Sequence, residues 1–182
     1  MIRAKGYHYV SVSRSKLKDY QSIPGRLTVL LETKSKRQVR LKAVTTGANQ
    51  TDYYLEVASQ DKYDTQQSMR RQFEERFELE LEKINVSLSR KGGVKKTDKV
   101  NQRIGRAKQK YPSVQYYYDI EVKTTEDKLT ATELLWSKND QKYEQKGSTL
   151  GIYFLKTSLS LVDEVMLWNI YNTIREIESS FR

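Results

Sequence analysis

The chain contains no cysteine, one histidine and two prolines among 182 residues. Without cysteine there is no disulfide, no thiolate zinc site and no thiol nucleophile. A single histidine, His8, excludes His–His metal sites and argues against a Ser-His-Asp hydrolase. No apolar run approaches the roughly 18 residues of a membrane helix. The first 20 residues also lack the apolar core of a signal peptide. Together these absences predict a cytoplasmic chain with no membrane partner. What is abundant is charge, at 31% of residues, and tyrosine, with 13 of them beside four Phe and two Trp. That ring content argues for a packed core rather than disorder. The length suits one domain, or one domain plus part of a second.

The net charge of +10 is unevenly placed. Residues 90–110 hold nine Lys/Arg against one acid, and residues 1–40 hold ten against two. The remainder is mildly acidic. Two basic blocks on an acidic body point to a polyanion partner, with ordinary solvated surface as the alternative.

The first third alternates with period two, which predicts half-buried strands at 7–13, 27–31, 38–44 and 53–57. Pro24-Gly25 marks a turn before the second, and Gly47-Ala48-Asn49 connects the last two. The period then lengthens. Met69, Phe73, Phe77, Leu81, Ile84 and Leu88 recur every three or four residues, one face of a long helix over about 62–89 that Gly92-Gly93 ends. Thr97–Lys110 predicts a second helix with a stripe of Val100, Ile104 and Ala107, stopped by Pro112. Strands are expected at 115–123 and 129–136, with a turn at Asn139-Asp140. Leu150–Leu155 reads as a strand buried on both faces. A final helix runs from a Ser160 cap to Arg182, with an apolar seam of Leu167, Ile170, Ile174, Ile177 and Phe181. Tyr171, Arg175, Glu178 and Arg182 share a neighbouring face. No glycine, proline or cap follows, so the chain is expected to be a piece of a longer protein.

Several constellations carry chemistry. The loop Lys91-Gly92-Gly93-Val94-Lys95-Lys96 has phosphate-loop glycines without the Gly-Lys-Ser/Thr spacing, so nucleotide triphosphate binding is rejected. Lys95, Lys96, Lys99, Arg103, Arg106, Lys108 and Lys110 instead form an array suited to sequence-independent contact with phosphates. Gly105 within it costs helix stability and suggests close approach of another backbone. The acidic face around Glu78 and the Tyr116-Tyr117-Tyr118 run read as solvated helix surface and strand packing before they read as a metal site or a base-stacking platform.

The stretch GIYFLKT (151–157) followed by WNIYNTIREIESSFR (168–182) resembles the C-terminal catalytic segment of DDE transposases of bacterial insertion sequences. The similar group has an RNase H-like core interrupted by a β-rich insertion between the second Asp and the Glu. YVSVSRSKL (9–17), Arg103-Ile104-Gly105-Arg106 with Lys108–Pro112, and the long helix before Gly-Gly fit the same group, so the resemblance spans most of the chain. It implies that Glu178 is the last acid of the triad and a metal ligand. Tyr171, Arg175 and Arg182 are then accessories on its helix. Many relatives carry Tyr-x2-Arg-x3-Glu-x6-Lys; here the arginine slot is Ile174 and the arginine falls one later, about 100° round the helix. The lysine slot lies beyond Arg182, and both aspartates are implied to precede Met1. The implied chemistry is in-line displacement at DNA phosphorus with two Mg²⁺ or Mn²⁺ ions held by all three carboxylates.

The expectation is therefore an α/β (α+β) chain: a mainly antiparallel sheet, one long helix, a basic helical excursion and a terminal strand–helix unit of an RNase H-like core. Residues 1–148 would be the insertion domain, and 149–182 the truncated core. DNA, the transposon ends, is the expected partner, with a homodimer in the assembled complex. The isolated chain, holding one acid of three, is expected to be inactive and to bind no metal. The alternative is a non-catalytic nucleic-acid-binding module, or a dimerisation module acting through helix 62–89.

Overall fold

The computed structural model describes residues 7–46, 53–159 and 162–181. Along the chain these form β1 (Val10–Val12), β2 (Gln21–Ser22), β3 (Val29–Glu32), β4 (Gln38–Thr45), β5 (Tyr53–Ser59), α1 (Gln60–Ser89), α2 (Thr97–Lys110), a 3-10 turn at Gln115–Tyr117, β6 (Tyr118–Thr124), β7 (Ala131–Lys138), α3 (Asp140–Gly147), β8 (Ile152–Thr157) and α4 (Glu164–Ser180). The fold is mixed α+β with antiparallel sheets. Two compact units emerge: Met1–Asp64 with Gly151–Arg182, and Thr65–Leu150.

The first unit is built on a six-stranded sheet in the order β1-β8-β5-β4-β2, with β3 also on β4. Every pairing is antiparallel. Pro24 and Gly25 turn the chain between β2 and β3, with Gly25 at φ +78° and Arg26 N–H donating to the Ile23 carbonyl. Only a residue tolerant of positive φ fits that position. The register Leu41↔Val57 and Leu55↔Leu155 stacks the apolar residues of β4, β5 and β8 on one face. There Val39, Leu41, Leu55, Val57 and Leu155 bury against Leu167 and Trp168 of α4. Fully burying each such side chain is worth about 1.5–3 kcal/mol. On the opposite face Phe154 is buried and takes the edge of the Tyr20 ring at 5.0 Å. The centre of β8 is thus covered on both sides, as its near-continuous apolar run predicts. Segments 1–64 and 151–182 pack together, so β8 and α4 belong to the same sheet unit as β1–β5.

The second unit packs Phe77, Leu81, Ile84 and Leu88 of α1 against Val100, Ile104 and Ala107 of α2, with Tyr111, Val114, Tyr117, Tyr118, Ala131 and Leu134 completing the core. Gly92 (φ +78°) ends α1 in the left-handed conformation that glycine tolerates. A Cβ on Gly93 would collide with the Ser87 carbonyl, so the chain reverses tightly there. Residues 95–97 then run against the start of β7, through Ala131 N–H to the Lys95 carbonyl (2.7 Å) and Thr97 N–H to the Leu129 carbonyl (2.9 Å). This ladder fixes where α2 begins.

The structure departs from the sequence reading in four places. The strand expected at 115–123 opens with the 3-10 turn, which breaks the alternation: Tyr116 is exposed while Tyr117 and Tyr118 are both buried. The turn at Asn139-Asp140 is instead the start of α3, where the Asn139 side chain caps by accepting from Lys142 N–H at 3.1 Å. The short β2 has no apolar alternation to announce it. Finally, α4 begins at Glu164 behind an Asp163 cap that accepts from Met166 N–H at 2.7 Å. Ser160, Gly47-Ala48-Asn49 and Arg182 lie outside the described residues.

Candidate nucleic-acid interface and carboxylate helix

α2 turns the basic array into a geometry. Its buried stripe of Val100, Ile104 and Ala107 fixes the helix phase. At 100° per residue, Lys99, Arg103, Arg106 and Lys110 (i, i+4, i+7, i+11) fall within about 60° of one another, beside that stripe. They run along about 16 Å of helix. Lys108 points to the far side. Lys95 and Lys96 precede the helix and are exposed.

The members of the stripe are not equally free. Lys99 and Arg106 are exposed and form no ion pair among the described residues. Arg103 is half-buried, with its guanidinium donating to Ser87 Oγ at 2.7 Å. Lys110 pairs with Glu80 at 3.3 Å. A hydrogen bond to Glu80, then contact with Tyr111, raises the Lys110 pKa above its ordinary value. Gly105 faces open space, with nothing within 4 Å of an added Cβ, so among the described residues no other backbone approaches it there.

The first half of α1 holds a polar cluster that the apolar period does not reveal. Arg70 and Glu74 are buried, while Met69 is half exposed. The Arg70 guanidinium lies 3.5 Å from the centre of the Tyr143 ring and 4.8 Å from that of Tyr117, and bridges to Glu74 at 3.3 Å. Glu74 also accepts from Tyr117 Oη and Lys138 Nζ, each at 2.8 Å. Tyr118 Oη donates to Glu78. Burial first, and then the bond to Glu78, push the Tyr118 hydroxyl pKa upward. Each charge has a partner, as burial demands. Glu74 and Glu78 are therefore engaged by core residues, Glu75 and Glu82 on the same helix are exposed as a solvated surface would be, and Tyr117 and Tyr118 are packing residues. Phe77 is fully buried and Phe73 packs against the same cluster.

α4 carries the proposed carboxylate. Its N-terminal half is anchored: Leu167 and Trp168 are buried, and Glu164 pairs with Arg26 at 3.3 Å. Tyr171 packs on Tyr153 and Trp168 at centroid distances of 6.2 and 5.8 Å. Beyond Tyr171 the helix leaves the sheet. Ile174, Ile177 and Phe181 of the expected seam are exposed, the last at 86%. Tyr171, Arg175 and Glu178 share one face, and Glu178 is exposed. Among the described residues no group of three or more His, Cys, Asp or Glu could hold a metal ion. One carboxylate does not make the oxygen cage that Mg²⁺ or Mn²⁺ requires, so no metal step is assigned to these residues. Among the described residues no helix is long and apolar enough to cross a membrane.

Comparison with protein-family models, with curated proteins and with solved structures finds no match to this chain.

Proposed function

We propose that the chain is part of a DDE-type DNA transposase, in which α2 contacts the DNA backbone and α4 presents the last catalytic carboxylate, Glu178. The observation that carries the DNA contact is the four-cation stripe on α2. Cations at i, i+4, i+7 and i+11 on one rigid face suit a continuous row of phosphates and carry no base-specific pattern. The catalytic assignment is supported by the order of β8 and α4, with Tyr171 seven residues before Glu178 on one face. In this reading β8 and α4 belong to an RNase H-like core and the two aspartates come from sequence outside residues 1–182. The 182-residue chain is then inactive alone, and the longer enzyme cleaves and joins transposon ends, as a homodimer in the assembled complex.

A second reading, a nucleic-acid-binding module without catalysis, is favoured by the exposure of Glu178 and the lack of a carboxylate cluster among the described residues. The two separate in one experiment. In the longer protein, Glu178→Gln abolishes strand cleavage and leaves DNA affinity nearly unchanged if Glu178 is catalytic. Cleavage that survives Glu178→Gln removes the catalytic role and leaves the binding module.

A further inference from the structure

The first basic block, ten cations against two acids in residues 1–40, has no part in the α2 contact. Its place follows from the order of the strands. β1 lies at one edge beside β8, and β2 lies beyond β4 at the other. Four strand spacings, about 19 Å, separate them. The nine-residue step from Val12 to Gln21 reaches at most about 30 Å, so the chain between them runs over the sheet. Its contacts fix the face. Ser13 N–H donates to the Phe154 carbonyl at 2.8 Å, and the Tyr20 ring meets the Phe154 ring at 5.0 Å. Tyr20 Oη also donates to Glu56, the cross-strand partner of Phe154. Segment 13–20 is therefore a strap across the face opposite α4.

The strap has an inner and an outer set of residues. Ser13, Leu17 and Tyr20 are half-buried, while Arg14, Ser15, Lys16, Lys18 and Asp19 are exposed. Three cations against one acid thus face outward. Arg14 and Lys18 form no ion pair among the described residues. β4 adds cations on the same face. Arg40 lies 3.7 Å from Glu56 with half of its side chain exposed, and Lys42 stands opposite Glu56 in the register. Glu56 itself is buried, and Tyr20 and Arg40 both engage it, so its charge is answered within the fold.

We propose that the strap is a second nucleic-acid contact, in which Arg14, Lys16 and Lys18 each hold a backbone phosphate and Arg40 flanks them. Guanidinium and ammonium groups donate charge-assisted hydrogen bonds to phosphate oxygens and need no base pattern. The choice of nucleic acid as the polyanion rests on the function proposed above; the placement of the cations depends on neither α2 nor Glu178.

The test is lysine acetylation of the 182-residue chain, read residue by residue by mass spectrometry at constant ionic strength, with and without a short DNA duplex. The duplex should slow labelling of Lys16 and Lys18 saturably and leave the hairpin residue Lys34 unchanged. Poly-glutamate should protect neither strap lysine. Joint replacement Arg14→Gln, Lys16→Gln and Lys18→Gln should lower the salt slope of duplex binding by about 2.7, three duplex contacts. Arg14→Lys alone, which keeps the charge, should leave that slope in place. Duplex binding that protects Lys99 but not Lys16 or Lys18 overturns the strap contact and spares the α2 reading. Protection of Lys16 and Lys18 without Lys99 keeps the strap and removes α2. Equal protection by poly-glutamate, or an unchanged slope in the triple variant, overturns the strap as a nucleic-acid contact. A chain that binds no duplex at low salt removes both.

Discussion

Neutralising the α2 cations one at a time separates a designed DNA-facing row from scattered surface charge. Lys99 and Arg106 are exposed and form no ion pair among the described residues, and they sit on the same helix face. Lys108 belongs to the same basic segment but points about 180° away from Lys99. Each phosphate contact on duplex DNA contributes about 0.9 to the slope of log affinity against log salt. Between about 50 and 200 mM salt, loss of one contact therefore relieves the fall in affinity by about 3.5-fold. Lys99→Gln and Arg106→Gln should each flatten the slope by about that amount, and Lys108→Gln should leave it unchanged. Arg103 and Lys110 should fall between these limits. Arg103 must first leave Ser87 Oγ at 2.7 Å, and Lys110 must leave Glu80 at 3.3 Å. An exposed pair such as Lys110–Glu80 holds only about 0–1 kcal/mol, so Lys110 should be the more available of the two. The assay is fluorescence anisotropy on a labelled duplex across a salt series, with thermal melts to verify that each variant is folded. If Lys108→Gln flattens the slope as much as Lys99→Gln, the stripe has no directional meaning and binding is diffuse.

Four other perturbations follow from specific contacts. Gly105→Ala should stabilise the chain by about 1 kcal/mol because its Cβ meets open space in a helix. Gly93→Ala should destabilise it by about 1–3 kcal/mol, since its Cβ meets the Ser87 carbonyl; thermal melts that move in the same direction would refute the assignment. Glu74→Ala should cost about 3–5 kcal/mol in urea unfolding by leaving buried Arg70 without its carboxylate, whereas exposed Glu75→Ala should stay within about 0.5 kcal/mol of the parent. The Tyr20 pKa is pushed up to about 12, first by its hydrogen bond to Glu56 and then by burial. A raised pKa means the folded state holds the proton more tightly. Its contribution is complete below the ordinary tyrosine value near 10 and is lost as pH rises through about 12. Tyr20→Phe should remove that alkaline loss from pH-dependent melts; an unaltered alkaline limb would refute it.

The apolar period located α1 but mistook which residues its first half buries. From Phe77 onward the expected face is the buried one. Before Phe77, Arg70 and Glu74 are inside and Met69 is half exposed. A hydrophobic pattern cannot register a buried ion pair whose partners, Tyr117, Lys138 and Tyr143, lie far along the chain. The unusual tyrosine content was the available signal. α3 escaped notice for a related reason: it buries no residue and so has no stripe, and its Asn139 cap looks like a turn. α2 was legible end to end because Val100, Ile104 and Ala107 keep phase between Gly92-Gly93 and Pro112. Its charge was legible as composition, but the division into a stripe, a tethered arginine and an off-face lysine needs the helix phase and the neighbours. The contact of Lys62 with the Tyr153 ring had no sequence signal at all: it forms because β5, which leads directly into α1, pairs with β8.

The catalytic reading places a further demand on α4. A metal-ligating carboxylate must be held to within a fraction of an ångström, which requires its helix to be locked by packing. Leu167 and Trp168 lock the first half against the sheet. Glu178 lies on the second half, where Ile174, Ile177 and Phe181 form an exposed apolar line along the same helix. Three large apolar residues in a row on one helix face have the pattern of a buried stripe rather than of a solvated one. If Glu178 is the last carboxylate, that line is covered by the rest of the same catalytic core, and the covering strands bring the two aspartates with them. Support for the helix and completion of the metal cage are then one event. If the line stays bare, Glu178 has neither a rigid mount nor ligand partners, and of the proposed function only the α2 contact with DNA is left to test.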